Sequence, residues 1–228
     1  MPQSPQASSG VPQAPETRGE ARREAAPVAL VLLGLYVLLA CVSLAEGWSL
    51  TGFPWWAWLA VAAPAALLAV DLVLAWRGSA VVRSRGAAVV LLAVLVVGNA
   101  VALGILVAAL VTMSTDDLSG GELLLSAFAI WSADVIVFGL LFWEVDAGGP
   151  VERLRAPGRR ATDFRFPQDD DPGSGWRPQA WDYLYVSLTN SIAFSPTDTM
   201  PLSLHAKALM GVESAISAAT VLLVAARA

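Results

Sequence analysis

Residues 27–45, PVALVLLGLYVLLACVSLA, contain no charged side chain and few polar ones. A helix that crosses the hydrocarbon core of a bilayer needs about 20 consecutive apolar residues, so this stretch is long enough to span a membrane. A cleaved signal peptide would have a shorter apolar segment with a cleavage site close behind it. The stretch therefore predicts a membrane span that stays in the mature chain.

The composition of the whole chain agrees with a membrane protein. Hydrophobic residues make up 56% of the 228 residues and charged residues only 14%, which is more apolar surface than a single soluble core can bury. The formal net charge is -5, and the arginines are confined to a few short segments. We therefore expect the lipid bilayer as the main partner and exclude nucleic acid.

Apolar runs further along the chain predict an all-α fold, a polytopic helical bundle. It has four spans, a short helix with a turn, and a final span. The spans are expected at about 27–45, 53–76, 87–113, 122–143 and 202–226. The predicted organisation is a disordered cytoplasmic tail, four transmembrane helices, a cytoplasmic polar loop, and a short helix followed by the last span: 1–26, 27–143, 144–180 and 181–228.

The tail and the long loop are the two polar regions. Residues 1–26 are rich in Pro, Gln, Ser and Ala and lack periodic apolar positions, which is typical of a disordered segment. Residues 144–180 are polar and punctuated by Gly and Pro, which indicates a solvated connector. The alternative is that the loop contacts anionic lipid headgroups through its basic cluster, which is Arg153, Arg155, Arg159 and Arg160.

The placement of basic residues predicts the orientation. Lys and Arg number three in the tail, none in 46–52, three in 77–86, none in 114–121 and six in 144–180. Loops rich in Lys and Arg stay in the cytoplasm. The counts therefore predict a multi-pass protein of the plasma (inner) membrane, with the N-terminus, the 77–86 loop and the 144–180 loop in the cytoplasm.

Residues typical of enzyme or metal chemistry are scarce. The only cysteine, Cys41, lies in an apolar run, and the only histidine, His205, has no cysteine or histidine partner at a metal-binding spacing. No nucleophile elbow or phosphate loop is present. We therefore expect no enzymatic activity, no cofactor and no bound metal.

Three polar residues fall near the centres of predicted spans: Asn99, Asp134 and Glu213. A charged carboxyl group there costs at least about 2.5 kcal/mol, so such residues face the bundle interior and are functional candidates. Ser217 lies one turn after Glu213 on the same stripe, and Thr189 and Asn190 in the short segment supply further polar groups. The set predicts a site for a proton or a monovalent cation. The alternative is that these groups only hold helices together.

The segment from 183 to 197 carries no charge. Its 15 residues would form a helix of about 22 Å, which is shorter than the hydrocarbon thickness of about 30 Å. Either it enters the membrane without crossing, or it crosses as a short helix. Because the preceding loop is predicted to be cytoplasmic, crossing is favoured, which places SPTDTMP, residues 195–201, outside.

Residues 185–227, YVSLTNSIAFSPTDTMPLSLHAKALMGVESAISAATVLLVAAR, resemble the pore helix, filter and inner helix of two-span potassium channels. Asp198 and Pro201 match the Asp and Pro that follow the channel filter, and the start of the inner helix is matched by Lys207, Ala208, Leu209 and Glu213. The resemblance implies an ion path that includes Ser195, Thr197 and Asp198. It also implies a homo-oligomer, because one copy cannot close a ring.

The filter itself departs from that family. Residues 193–197 read Ala-Phe-Ser-Pro-Thr where potassium channels have Thr-Val-Gly-Tyr-Gly, and a ladder of inward carbonyls depends on those glycines. We therefore expect NSIAFSPTD to form a non-helical turn and not a potassium filter. DYLYVSLT, SPTD and the four preceding spans also resemble a family of bacterial multispanning membrane proteins, the domain of unknown function numbered 1345. That resemblance implies no activity.

Overall fold

The computed structural model describes residues 23–47, 55–77, 84–112, 120–155, 161–195 and 198–225. Most of the predicted tail lies outside the described residues. So do Arg159, Arg160, Pro196 and Thr197. The described residues form seven α-helices and one two-stranded sheet. The helices are α1 Ala26–Glu46, α2 Trp55–Trp76, α3 Arg85–Thr112, α4 Gly120–Val145, α5 Pro150–Arg155, α6 Ala180–Ala193 and α7 Leu204–Ala225. The strands are β1 Phe164–Arg165 and β2 Met200–Pro201.

Five of the described helices, α1, α2, α3, α4 and α7, are long and apolar enough to cross a membrane. Their outer faces expose large hydrophobic side chains such as Val31, Val97 and Leu222, as expected of surfaces that contact lipid. Because α6 has only 14 residues, the prediction of an all-α bundle with four spans, a short helix and a last span is confirmed. The chain is a multi-pass membrane protein.

Helix α4 forms the centre of the bundle. It contacts α1, α3, α6 and α7, whereas α2 packs between α1 and α3. Large side chains of α4 are fully enclosed, including Phe138, Phe142 and Trp143. The residues of α4 therefore decide which groups the other helices meet in the interior.

Three segments that carry arginine lie together at one end of the bundle. Glu24, just before α1, accepts a hydrogen bond from the amide of Ala180 at 3.4 Å. Arg85, at the start of α3, donates through Nε to the carbonyl of Glu144 at the end of α4, 2.9 Å away. We call this the arginine-rich end: residues 23–25 ahead of α1, the start of α3, and residues 144–155 and 161–180. That it faces the cytoplasm stays a prediction.

The described parts of the 144–180 loop, residues 144–155 and 161–180, are folded onto this end of the bundle, which differs from the solvated connector expected from its composition. Asp146 accepts hydrogen bonds from the amides of Asp163 at 2.7 Å and Phe164 at 3.2 Å, and from the hydroxyl of Tyr183. Phe164 and Phe166 are buried and make edge contacts with the Tyr183 ring. The loop folds because these aromatic side chains bury against α4 and α6.

The segment from α6 to α7 enters and leaves the bundle at the arginine-rich end. Tyr183, in the first turn of α6, is bonded to Asp146 of the loop. After α6 the chain returns to the same loop, because β2 pairs antiparallel with β1 and the amide of Leu202 donates to the carbonyl of Asp163 at 2.8 Å. Helix α6 is therefore re-entrant.

The prediction that this helix crosses, with residues 195–201 at the opposite end, is wrong. The 14 residues of α6 give about 21 Å of helix, and pairing with the loop holds both ends of the segment on one side. Helix α7 then runs back along α4, and its Leu223 packs in a cluster with Leu123 and Ala127 near the start of α4. If the arginine-rich end is cytoplasmic, α7 ends outside.

The end of α6 is a tight turn. Phe194 adopts the left-handed conformation, with φ 53° and ψ 27°, and its amide donates to the carbonyl of Asn190 at 2.9 Å. Ser195 and Asp198 follow as exposed bends. The described part of NSIAFSPTD beyond Ala193 is therefore non-helical, as the sequence predicts.

Candidate functional site

Polar side chains from five helices meet inside the bundle. We call them the polar cluster: Tyr36 on α1, Asn99 on α3, Asp134 on α4, Ser187 and Asn190 on α6, and Glu213, Ser214 and Ser217 on α7. All except Ser214 are buried. Hydrogen bonds within the cluster join these helices to one another in the described interior.

One branch of the cluster runs from α1 through α3 to α4. The hydroxyl of Tyr36 donates to Oδ1 of Asn99 at 2.6 Å. Nδ2 of Asn99 in turn donates to Oδ1 of Asp134 at 3.1 Å. The asparagine therefore orients the carboxyl group of Asp134, and this arrangement fits either protonation state of that group.

A second branch joins α6 to α7. Glu213, which is 0% exposed, is hydrogen-bonded through Oε1 to the hydroxyl of Ser187. Its Oε2 accepts from Nδ2 of Asn190 at 2.6 Å. The same amide group donates to the carbonyl of Met210 at 3.0 Å, and its oxygen accepts from Ser214 at 3.2 Å. The re-entrant helix thus supplies the direct partners of Glu213.

The two branches end in carboxyl groups on helices that pack together, Asp134 on α4 and Glu213 on α7. Asp134 and Glu213 are close enough for their charges to interact. Among the described residues, Oδ2 of Asp134 and Oγ of Ser217 are buried without a hydrogen-bond partner. Buried polar atoms are normally paired, so these two atoms mark where the cluster has capacity for a proton or a small polar ligand.

The structure brings together five of the residues predicted from the sequence and leaves three apart. Asn99, Asp134, Asn190, Glu213 and Ser217 belong to the cluster. Thr189 bonds instead to carbonyls of its own helix, those of Tyr185 and Val186. Ser195 and Asp198 are exposed, and Thr197 lies outside the described residues.

Sequence reasoning missed Tyr36, Ser187 and Ser214. Tyr36 sits in a span where an aromatic residue is unremarkable, but its hydroxyl is a donor that needs a partner when buried. Ser187 lies three residues before Asn190 and so on the same helical face. That spacing was the one signal in the sequence for Ser187.

The cluster contains two carboxyl groups, those of Asp134 and Glu213, among hydroxyl and amide groups. The described residues contain no group of three or more His, Cys, Asp or Glu side chains that could hold a metal. Each of these carboxyl groups has a hydroxyl or amide group as a hydrogen-bond partner. Each can therefore take up or release a proton.

A separate cavity of about 490 Å³ opens at the arginine-rich end. Its lining includes Glu24, Trp143, Asp146, Arg153, Phe166 and Trp176. Arg153 donates to the carbonyls of Trp143 at 2.9 Å and Asp146 at 2.8 Å and lies 5.2 Å from the centre of the Tyr183 ring. These interactions hold the loop on the end of α4.

The fold and the cluster define a class: a multi-pass α-helical membrane protein with a re-entrant helix and an enclosed polar cluster. Comparison of the chain with known protein families, with curated proteins and with solved structures finds no match.

Proposed function

We propose that the protein carries protons across the membrane, without enzymatic activity. In this proposal, Asp134 and Glu213 are the groups that bind the protons. The observation that carries the proposal is the burial of these two carboxyl groups on helices that pack together, with one oxygen of Asp134 unpartnered among the described residues. Ionisable residues within transmembrane segments are costly, and they mark ion and proton pathways in membrane proteins.

The re-entrant helix supports the proposal. Non-spanning backbone at membrane depth is tolerated where it is buried in protein or lines a cavity. Here α6 brings Ser187 and Asn190 to the carboxyl group of Glu213. A scaffold could use an apolar spanning helix in place of α6, and such a helix would insert into the membrane more easily. We therefore favour an ion path because α6 carries polar groups.

The second candidate is a membrane scaffold that transports nothing. The observation in its favour is that both oxygens of Glu213 are hydrogen-bonded, as in polar contacts that only hold helices together. The two candidates differ in what Asp134 and Glu213 must do. A scaffold needs only their hydrogen bonds, whereas a proton pathway needs them to bind and release protons.

Proton flux into reconstituted vesicles tests the proposal. Vesicles that hold a pH-sensitive dye are given an inward proton gradient, and the wild-type protein is expected to acidify the interior faster than protein-free vesicles do. Asp134→Asn and Glu213→Gln should reduce the flux to the protein-free rate. Thr220→Val is the matched control, because Thr220 is buried on the same helix and bonds only to its own helix, at the carbonyl of Ile216.

Two results would contradict the proposal. Wild-type vesicles without flux of any ion under any imposed gradient would favour the scaffold. Sodium or potassium flux without proton flux would show that the transported ion is a monovalent metal cation and not a proton.

A further inference from the structure

The hydroxyl of Ser187 touches two oxygens, and a separate two-centre hydrogen bond at each contact needs two hydrogens. Its Oγ lies 2.7 Å from the main-chain carbonyl oxygen of Val135 on α4 and is also hydrogen-bonded to Oε1 of Glu213 on α7. A serine hydroxyl carries one hydrogen, and a carbonyl oxygen carries none. The hydrogen between Ser187 and Val135 must therefore come from Ser187.

We propose that Glu213 is protonated in this structure and donates its hydrogen to Ser187, which donates its own to Val135. The inference rests on the proposed function and deepens it, because it states which of the two carboxyl groups holds the proton and how Ser187 responds to that proton. Ser187 is then a positioning residue. It links the protonation of Glu213 on α7 to the hydrogen bond that holds the re-entrant helix on α4.

The other contacts of Glu213 fit a neutral acid. Oε2, the carbonyl oxygen of such an acid, accepts from Asn190 at 2.6 Å. Asp134 is the ionisable group that faces Glu213 from α4, with Asn99 and Tyr36 behind it. None of the hydrogen bonds to Glu213 in the described part of the chain comes from a lysine or arginine.

Release of the proton changes the bond between α6 and α4. The O–H bond of Glu213 breaks, the electron pair stays on Oε1, and a base takes up the proton, for which Asp134 is the facing carboxylate. The carboxylate of Glu213 can then only accept. Ser187 must turn its single hydrogen toward Glu213, so the carbonyl of Val135 loses its bond from α6.

Infrared spectroscopy of the protein in vesicles tests the inference, because a protonated carboxyl group has a carbonyl stretching band that a carboxylate lacks. At neutral pH we expect such a band from a buried acid. It should disappear in Glu213→Gln and persist in Asp134→Asn. In Ser187→Ala it should shift to higher frequency, because the acid loses its acceptor, and in Ser187→Thr the position should be kept.

Glu213→Gln should fold, since its amide can still donate to Ser187. Should Ser187→Ala fail to fold, the other two comparisons still decide the matter. A wild-type protein without the band, or a band that Glu213→Gln leaves unchanged, would overturn the inference. Flux in the same vesicles separates the two claims: a Glu213 band without proton flux refutes only the proposed function, and proton flux without the band refutes only the protonated Glu213.

Discussion

Gly139 on α4 and Leu184 on α6 are packed backbone to backbone. A β carbon at Gly139 would lie 2.9 Å from the Cα of Leu184, closer than non-bonded carbon atoms approach. The missing side chain lets α6 lie close against α4, as small residues do between membrane helices. One turn further along α6, the same approach brings the hydroxyl of Ser187 to the carbonyl of Val135.

Gly139→Ala is expected to destabilise the protein by about 1–3 kcal/mol, the usual cost of overpacking a well-filled interior. Gly104→Ala is the matched control, because Gly104 also lies in a span and a β carbon there would meet nothing within 4 Å among the described residues. That substitution should be neutral or stabilise by about 0.5–1 kcal/mol. Thermal unfolding in detergent measures both, and equal effects would show that the contact is looser than described.

Arg85→Ala is expected to loosen the arginine-rich end. The side chain of Arg85 donates to the carbonyls of Glu144 at 2.9 Å and Val145 at 3.2 Å, which α4 cannot satisfy at its own C-terminus. Loss of hydrogen bonds from a charged group costs about 1.5–3 kcal/mol, so the unfolding temperature should fall. Arg177→Ala, an exposed arginine at the same end, should leave it unchanged. A similar drop in both variants would point to net charge as the cause.

Cysteine accessibility tests the re-entrant path. In a Cys41→Ser background, Ser174→Cys in the loop and Met200→Cys in β2 should react with a membrane-impermeant reagent from the same side of the membrane. Glu46→Cys, at the other end of α1, should react from the opposite side; all three positions are exposed. With the predicted orientation, the first two react only after the cells are permeabilised. Labelling of Met200→Cys together with Glu46→Cys would mean that α6 crosses.

Tyr36→Phe removes the donor to Asn99 and leaves a buried amide oxygen unpaired. The expected destabilisation is about 1–3 kcal/mol. In an Asn99→Leu background the same substitution should cost much less, because the two residues act on one hydrogen bond. Unfolding measured for all four proteins gives the coupling, and additive effects would argue against the bond.

Ser126→Ala and Ser187→Ala are expected to change stability in opposite directions. The hydroxyl of Ser126 is buried without a partner among the described residues, so its removal deletes an unsatisfied polar group and should stabilise slightly. Removal of the Ser187 hydroxyl deletes its hydrogen bonds to the carbonyl of Val135 and to Glu213 inside the bundle, and should destabilise by about 1–3 kcal/mol. Detergent unfolding distinguishes the two, and a loss of stability in both would contradict the description of Ser126.

The spans could be predicted because the signal for them is local. An apolar run of about 20 residues is enough to identify a crossing helix. The run 27–45 became α1, Ala26–Glu46, and the run 122–143 became α4, Gly120–Val145. Asp134 and Glu213 could be predicted for the same reason, since a carboxyl group inside a span needs an interior position.

The re-entrant path could not be predicted because it depends on contacts between distant segments. The strand pair is only two residues on each side, too short to leave a pattern in the sequence. Burial of Phe164 and Phe166 against Tyr183 likewise has no local signal. Ser187 was missed because one of its partners is a main-chain carbonyl, which every residue carries.

The pairing of β1 with β2 limits the order in which parts of the chain can fold during synthesis. The ribosome completes β1 long before β2, so the loop and α6 emerge without the strand that ties the hairpin down. Until α7 has been synthesised and inserted, Asn190 and Ser187 also lack Glu213 as a partner. A nascent chain that ends before Leu204 therefore holds α6 only through its contacts with α4 and the loop, and the re-entrant hairpin is the last part of the bundle to be completed.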